Sequence, residues 1–257
     1  MKRIMDMRVV ENSRLHPLYS LLKLTPADGS ALPATRPGQF VQVAVEGSKT
    51  TFLRRPISIN FVDAEANQLW LLVRVAGEGT RHLVETPAGE QINIVMPLGN
   101  GFSMPESKDS TVLLVGGGVG VAPLLQFGKE LKAGGFNPEF LLGARSQADL
   151  LELDEFARYG EVHVSTDDGS RGEKGVVTLH SVLQTPRWSH IYCCGPAPMM
   201  KAVAAKAREL GADCEVSLEN MMACGIGACL CCVENTVKGN VCVCTEGPVF
   251  NIKELTW

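Results

Sequence analysis

TVLLVGGGVGVAPLLQFGKELKA, residues 111–133, decides the fold. Residues 111–115 are an apolar run of strand length, glycines at 116, 117, 118 and 120 make a tight turn, and residues 121–133 carry apolar positions at helical spacing. A buried strand passing through a glycine turn into an amphipathic helix is the building unit of a parallel α/β sheet. The alternation continues with strand-like runs at 139–142, 162–165, 190–194 and 214–218, and a helical stretch at 197–210. The sequence therefore predicts a multi-domain β plus α/β chain with a Rossmann-like parallel α/β domain over 103–218.

Upstream the pattern changes. Short runs at 40–45, 54–59, 69–75 and 91–95 alternate apolar and polar positions, separated by the turn formers Ala27-Asp28-Gly29, Pro37-Gly38 and Pro97-Leu98-Gly99. That spacing suits an antiparallel β-barrel over 1–102, predicted as six-stranded, with one short helix after Gly79-Thr80.

The last segment has a third character. ACGIGACLCC (223–232) places Cys224, Cys229 and Cys232 in the Cys-x4-Cys-x2-Cys order, and Cys242 and Cys244 follow in VCVCTEGPVF. One loop supplying three thiolates and a later segment the fourth is the arrangement of a [2Fe–2S] site. Gly225 and Gly227 let backbone N–H groups approach the sulfurs. A zinc ribbon would instead pair two Cys-x2-Cys units about 15–20 residues apart. Disulfides suit small secreted domains, whereas this chain has 257 residues, no secretory h-region after Met1 and adjacent Cys231 and Cys232. A reducing cytoplasm fits better. Only Cys232 completes the x2 interval after Cys229, while Cys242 and Cys244, two apart on an expected strand, share a face and are not separated by spacing. A small C-terminal [2Fe–2S] module is expected over 219–257.

Composition excludes other classes. Net charge is 24 − 28 = −4 without a Lys/Arg block, so the electrostatic footprint of a nucleic-acid binder is missing. No run of about 18 apolar residues spans a bilayer, and there is no internal repeat.

Three further motifs carry binding chemistry. In VGGGVGVAPLL (115–125), Gly116, Gly117, Gly118 and Gly120 allow a pyrophosphate to approach the backbone and the helix start, although a glycine turn can be purely structural. In CCGPAPMM (193–200), Cys194, Gly195 and Pro196 again leave a strand for a helix, and the Cys194 sulfur lies at the carboxyl end of a strand, where open α/β sheets bind ligands. Its plain alternative is a buried small hydrophobe. In LRRPISI (53–59), Arg55 offers a fork for a pyrophosphate and Ser58 a hydroxyl for a flavin edge, while Gly79 and Thr80 open a helix toward phosphates; surface salt bridging is the plain reading of Arg54 and Arg55. His16, His82, His163, His180 and His190 are scattered and read as structural.

Taken in this order, the motifs resemble the ferredoxin-reductase superfamily, and the cysteine run narrows the resemblance to the electron-transfer subunits of dihydroorotate dehydrogenase type B. The resemblance covers nearly the whole length. It implies FAD contacts at Arg55, Pro56, Ile57, Ser58, Leu72, Val73, Arg74, Gly79 and Thr80, and a nicotinamide site at Gly116, Gly117, Gly118, Gly120, Cys194, Gly195 and Pro196. It implies cluster ligands Cys224, Cys229, Cys232 and Cys244, the last because the fourth ligand of that family precedes a Gly-Pro-Val-Phe run. Ile57 stands where the superfamily often has Tyr. The implied activity passes electrons between NAD and, through FAD and the cluster, an FMN on a separate catalytic subunit in a heterotetramer of two of each. No acid or base is needed in this chain, because a flavin mediates between hydride and single-electron carriers. A reductase subunit of another complex, such as a sulfhydrogenase or a ferredoxin-dependent transhydrogenase, would share all three motif sets. Arg145 and Ser146 leave NADH against NADPH open.

Overall fold

The chain opens in a long antiparallel hairpin, β1 (Arg3–His16) with β2 (Tyr19–Pro26). In the computed structural model, which describes residues 1–257, five more strands extend it: β3 (Phe40–Val43), β4 (Arg55–Ser58), β5 (Phe61–Asp63), β6 (Gln68–Arg74) and β7 (Gln91–Leu98). A helix, α1 (Glu78–Glu85), intervenes before β7. The order is β4-β3-β7-β1-β2-β6-β5, antiparallel throughout. The curled antiparallel sheet is the predicted one, with seven strands where six were expected, because the three-residue β5 pairs back on β6. Its inward positions, among them Met7, Leu24, Val41, Val43, Leu71 and Ile94, form one apolar core. Burying each such side chain stabilises the fold by about 1.5–3 kcal/mol relative to exposure.

The second sheet is doubly wound. Its elements are β8 (Val112–Gly117), α2 (Ala122–Ala133), β9 (Pro138–Ala144), α3 (Leu153–Ala157), β10 (Glu161–Thr166), β11 (Glu173–Lys174), α4 (Ser181–Gln184), β12 (His190–Cys194), α5 (Ala197–Leu210) and β13 (Asp213–Ser217). The order β11-β10-β9-β8-β12-β13 is parallel, and it reverses direction between β8 and β12. That reversal leaves a crevice at the strand ends where such sheets bind ligands. Phe102, Phe127 and Tyr192 pack as one aromatic group beside β12, with the Phe127 and Tyr192 rings edge to face at 4.7 Å. Gly211, at φ +69°, stops α5 in the left-handed conformation that a side chain disfavours.

The C-terminal segment forms the hairpin β14 (Val233–Thr236) and β15 (Gly239–Cys242), the single-turn α6 (Val243–Glu246) and β16 (Val249–Asn251), which joins β13 antiparallel. Two compact units result. One holds Met1–Gly101, Asn220–Glu234 and Asn240–Pro248, and the other Phe102–Glu219, Asn235–Gly239 and Val249–Trp257. The expectation that Cys242 and Cys244 share a strand face is overturned. The strand ends at Cys242 and the backbone turns into α6, so period-two alternation does not reach Cys244.

Candidate cofactor and electron-transfer sites

In the barrel unit, the two adjacent arginines do different work. Arg54 donates to the Asn93 side chain at 2.5 Å and to the carbonyls of Asn93 at 3.0 Å and Gln42 at 3.3 Å, which ties β3 to β7. Arg55 donates only from Nε, to the Arg54 carbonyl at 3.1 Å, so both Nη groups remain for a ligand. Its stem meets the start of α1, where a methyl built on Gly79 would lie 2.9 Å from Thr51 Cγ2 and 3.1 Å from Arg55 Cδ. Gly79 is therefore glycine because the helix start and the arginine pack closely.

Thr80 is committed to the helix. Its hydroxyl accepts from the N–H of Ala76 at 2.8 Å and of Gly77 at 3.1 Å, which holds the turn in place. Ser58 and Pro56 lie on the sheet face opposite the core, Ile57 packs against the core, and Val73 is part of it. Leu72 is buried, Arg74 exposed, and β5 pairs only with Gln68, Leu69 and Trp70 of β6, so residues 72–74 lie beyond its end. A flavin would meet this edge through Arg55, Ser58 and the backbone of 72–74 rather than through the side chain of Val73.

In the α/β unit, the two glycine turns are packed into each other. β8 and β12 pair in register with Gly116 opposite Cys194. A methyl on Gly120 would lie 2.6 Å from the Cys194 carbonyl oxygen, one on Gly117 2.5 Å from Met199 Sδ, and one on Gly195 3.2 Å from the Gly117 nitrogen. Gly118 takes φ +56° as the turn enters α2. Pro196 is the N-cap of α5, immediately after Gly195. The sequence-singled residues of both motifs thus meet at the strand-order reversal. Burial pushes the Cys194 thiol up, the charge of Glu219 adds to this, and a hydrogen bond with Ser217 opposes it. Cys194 is a neutral thiol and offers shape rather than a nucleophile. At the same rim the Ser146 hydroxyl donates to Asp149 at 2.9 Å, and Arg145 is exposed.

The cysteine loop closes on itself through N–H···S contacts. Ile226 N–H donates to Cys224 Sγ at 3.4 Å, Gly227 N–H to Cys244 Sγ at 3.1 Å, and Cys244 N–H to Cys232 Sγ at 3.4 Å. Gly225 and Gly227 adopt φ +69° and +83°, which aims these amides inward. The Ile226 N–H, helped by Cys229 and the Ala228 N–H, lowers the Cys224 thiol to about 6. Burial, with a hydrogen bond to Cys232, pushes the Cys244 thiol up to about 12 against the opposing Gly227 N–H. Cys242 lies near the same sulfurs, its thiol raised first by burial and then by Cys232, Cys224 and Cys229. Neighbouring sulfurs in two pairs, Cys224 with Cys229 and Cys232 with Cys244, and amides on three of the four fit a thiolate-bound iron–sulfur centre, because each such amide favours the charged ligand. Cys229 and Cys231 are exposed, whereas Cys232 and Cys244 are buried.

Two contributors escape sequence reading. Asn100 donates from its side chain to the carbonyls of Thr245 at 3.1 Å and Glu246 at 2.8 Å, and from its N–H to Gly247 O at 2.6 Å. It clamps the turn that carries Cys244. Its only sequence signal is its place after the Pro97-Leu98-Gly99 turn. Gln42 is the other, fully buried on β3.

Residues 219–256 match the family model of the iron–sulfur cluster binding domain of dihydroorotate dehydrogenase B, and residues 114–205 that of the oxidoreductase NAD-binding domain. The electron transfer subunit of dihydroorotate dehydrogenase B (NAD(+)) from Shouchella clausii is 42% identical over 86% of this chain and 86% of its own. Its counterpart from Lysinibacillus sphaericus is 40% identical over 95% of both. Among solved structures, an NADH-dependent reduced ferredoxin-NADP oxidoreductase superposes with TM-score 0.87 at 31% identity, covering 98% of this chain and 90% of that one. The flavohem-like FAD/NAD binding domain of nitric oxide dioxygenase from Vibrio cholerae, at TM-score 0.72 and 21% identity over 82% of this chain and 98% of its own, shares the fold. With these relatives, beside the linked cysteine sulfurs and paired glycine turns, the chain belongs to the family of dihydroorotate dehydrogenase B electron transfer subunits.

Proposed function

We propose that this chain is the electron-transfer subunit of an NAD-dependent dihydroorotate dehydrogenase, linking the FMN of a catalytic subunit to NAD⁺ through a [2Fe–2S] cluster and FAD. In this reading residues 1–102 bind FAD, 103–218 the nicotinamide and 219–257 the cluster. The single observation that carries it is the ring of inward N–H groups at Cys224, Cys232 and Cys244. When bound, the flavin exchanges a hydride with the nicotinamide and single electrons with the cluster.

The chain's own residues position and tune. Arg55 takes the flavin pyrophosphate at the start of α1, with Pro56 and Ser58, the backbone of Ile57, Leu72, Val73 and Arg74, and the Gly79-Thr80 helix start forming the edge around it. Gly118, the one partly exposed glycine of the turn, gives the dinucleotide pyrophosphate backbone approach at the start of α2, Gly116, Gly117 and Gly120 close-pack the turn behind it, and Cys194, Gly195 and Pro196 border the nicotinamide. Cys224, Cys229, Cys232 and Cys244 hold the iron. Cys244 is preferred to Cys242 as fourth ligand because it is buried and receives the Gly227 amide. NADH is preferred to NADPH because the curated relatives are named as NAD(+) enzymes.

A catalytic subunit carrying FMN is the proposed partner, two of each forming the assembly. Met221, Ile226 and Leu230, exposed around the exposed ligand Cys229, support docking at the cluster loop. No helix is long and apolar enough to cross a membrane, and the nine cysteines are unpaired, which suits a reducing cytoplasm.

The likeness to the reduced ferredoxin-NADP oxidoreductase favours one second reading, a nicotinamide-dependent reductase subunit of another complex. Co-purification of the chain with its partner, followed by a visible spectrum, iron assay and NADH titration, separates the two. The first reading expects about two irons per chain and dihydroorotate oxidation coupled to NAD⁺. A coloured complex without that activity would leave the second, and a colourless, iron-free, folded chain would refute both.

A further inference from the structure

Gln42 is wholly buried, and neither its Nε2 nor its Oε1 has a hydrogen-bond partner within the protein. A buried primary amide without a partner is costly, and native folds retain few of them. Its surroundings show which way it faces. On β3 the alternating Val41 and Val43 enter the apolar core, so Gln42 points to the opposite face. Its cross-strand neighbours are Pro56 on β4 and Val95 on β7, and neither has a polar side chain. Arg54 reaches the Gln42 backbone carbonyl and leaves the amide alone.

The amide lies instead against the cysteine loop. A methyl built on Gly225 would be 2.7 Å from Gln42 Cγ and 2.9 Å from its Nε2. Gly225 directly follows Cys224 and precedes Ile226, whose N–H already donates to the Cys224 sulfur. Pairing of Phe40 with Ser58 and of Gln42 with Pro56 also puts Gln42 on the sheet face that presents Ser58. One buried amide thus lies against the cysteine loop and shares a sheet face with the proposed flavin edge, within one compact unit.

We propose that Gln42 is a positioning residue that sets the reduction potential of the cluster, its Nε2–H donating to sulfur at the site bounded by the 224–229 loop; this rests on the reading of that loop as a cluster site. One-electron reduction places an added negative charge largely on the sulfurs. A donor held in a dry environment stabilises the reduced form more than the oxidised one, and the potential rises. Gly225 is required here twice, for its φ of +69° and because any side chain would displace the amide.

The test is an EPR-monitored reductive titration of the purified holo-complex, wild type against Gln42→Leu, with iron content measured on the same samples. Gln42→Leu keeps about two irons per chain and lowers the one-electron equilibrium constant for cluster reduction about tenfold, a fall of about 59 mV. An unchanged potential at full iron content would overturn the assignment. A second readout does not depend on how the variant folds: pulsed EPR of the reduced wild-type cluster with glutamine labelled by ¹⁵N at the side chain. A weakly coupled ¹⁵N is expected, and its absence would also overturn it. Wild-type protein without iron would refute the cluster site itself, an outcome distinct from either of these.

Discussion

Gly120→Ala isolates the packing of the two glycine turns. A Cβ at this position would lie 2.6 Å from the Cys194 carbonyl oxygen and from Gly195 Cα, and 2.7 Å from the Cys194 carbonyl carbon. Ordinary contact begins near 3.4 Å, so the turns must part by 3.4 − 2.6 = 0.8 Å. Every obstructing atom is backbone, and Cys194 is fixed in register to Gly116 on one side and Ser217 on the other. With Cys194 held, the displacement falls on residues 195–196 and on the 117–121 turn that faces them. Overpacking of this kind costs about 1–3 kcal/mol, and a shift near 1 Å at a reacting centre lowers rate about 100-fold. Stopped-flow reduction of the flavin by NADH is expected to slow by that factor, with iron and FAD content unchanged. Gly211→Ala is the control. Gly211 has φ +69° and a methyl added there would meet nothing within 4 Å, so the variant loses about 1–2 kcal/mol through backbone strain and keeps its reduction rate. A Gly120→Ala protein that melts early yet is reduced at the wild-type rate would refute the link between turn contact and hydride transfer.

Cys244→Ser is expected to abolish the visible cluster spectrum while Cys242→Ser preserves it, and iron content of the two variants decides between them. Arg55→Ala should weaken FAD binding about 10- to 100-fold by loss of a charge-assisted pair, measured by flavin retention on dilution. Arg54→Ala instead leaves the Asn93 side-chain oxygen and the Gln42 carbonyl short of a donor and should lower unfolding stability by about 1–3 kcal/mol, read from denaturant melts of the barrel unit's signal. In the α/β unit Glu139 accepts from His163 at 2.8 Å and, through two oxygens, from Arg187 at 2.6 and 2.7 Å, with Glu161 3.8 Å from His163. Burial raises the Glu139 carboxyl, and the Arg187 and His163 hydrogen bonds outweigh it, leaving it below its ordinary value. Its stabilisation is therefore complete above the unfolded carboxylate range and lost as pH falls through the lower folded value, so Glu139→Gln should flatten the acid limb of a pH–stability curve below about pH 4.

The α/β half is legible because its local signals agree. Strand, glycine turn and helix follow each other at 111–133, and the structure places them at Val112–Gly117 and Ala122–Ala133. The first hairpin is not legible. A register irregularity between Val9 and Glu11 shifts the phase of β1, so Met7 and Val9 are buried while Ile4, Val10 and Leu15 are exposed, and no single alternation runs through the strand. Cys242 and Cys244 read as sharing one face because the chain's turn into α6 at Val243 leaves no glycine or proline signal before it. Gln42 is the most instructive case. In FVQV its alternation reads as a solvent-facing polar position, and a loop about 180 residues later in the chain covers it. No local pattern records a neighbour that arrives so late.

Those long-range neighbours bear directly on the proposed electron transfer. A single-electron carrier needs a fixed separation from its partner, and loops are usually the most mobile parts of a fold. Here the loop with three cysteines rests on Gln42 of β3, the strand paired with the proposed flavin strand β4. The turn with the fourth is held by Asn100 just after β7, the other neighbour of β3. Gly99 meets Pro248 and the Gly247 carbonyl too closely to carry a side chain, which locks the same turn from a second direction. The 224–229 loop and the turn that carries Cys244 are thus anchored on β3 and just beyond β7, so in the proposed reading the sheet as well as the loop would hold the cluster at its distance from the flavin edge. A perturbation of β3 should move potential and electron-transfer rate together, whereas a perturbation of the exposed Cys231 or Leu230 side of the loop should move neither without the partner subunit present.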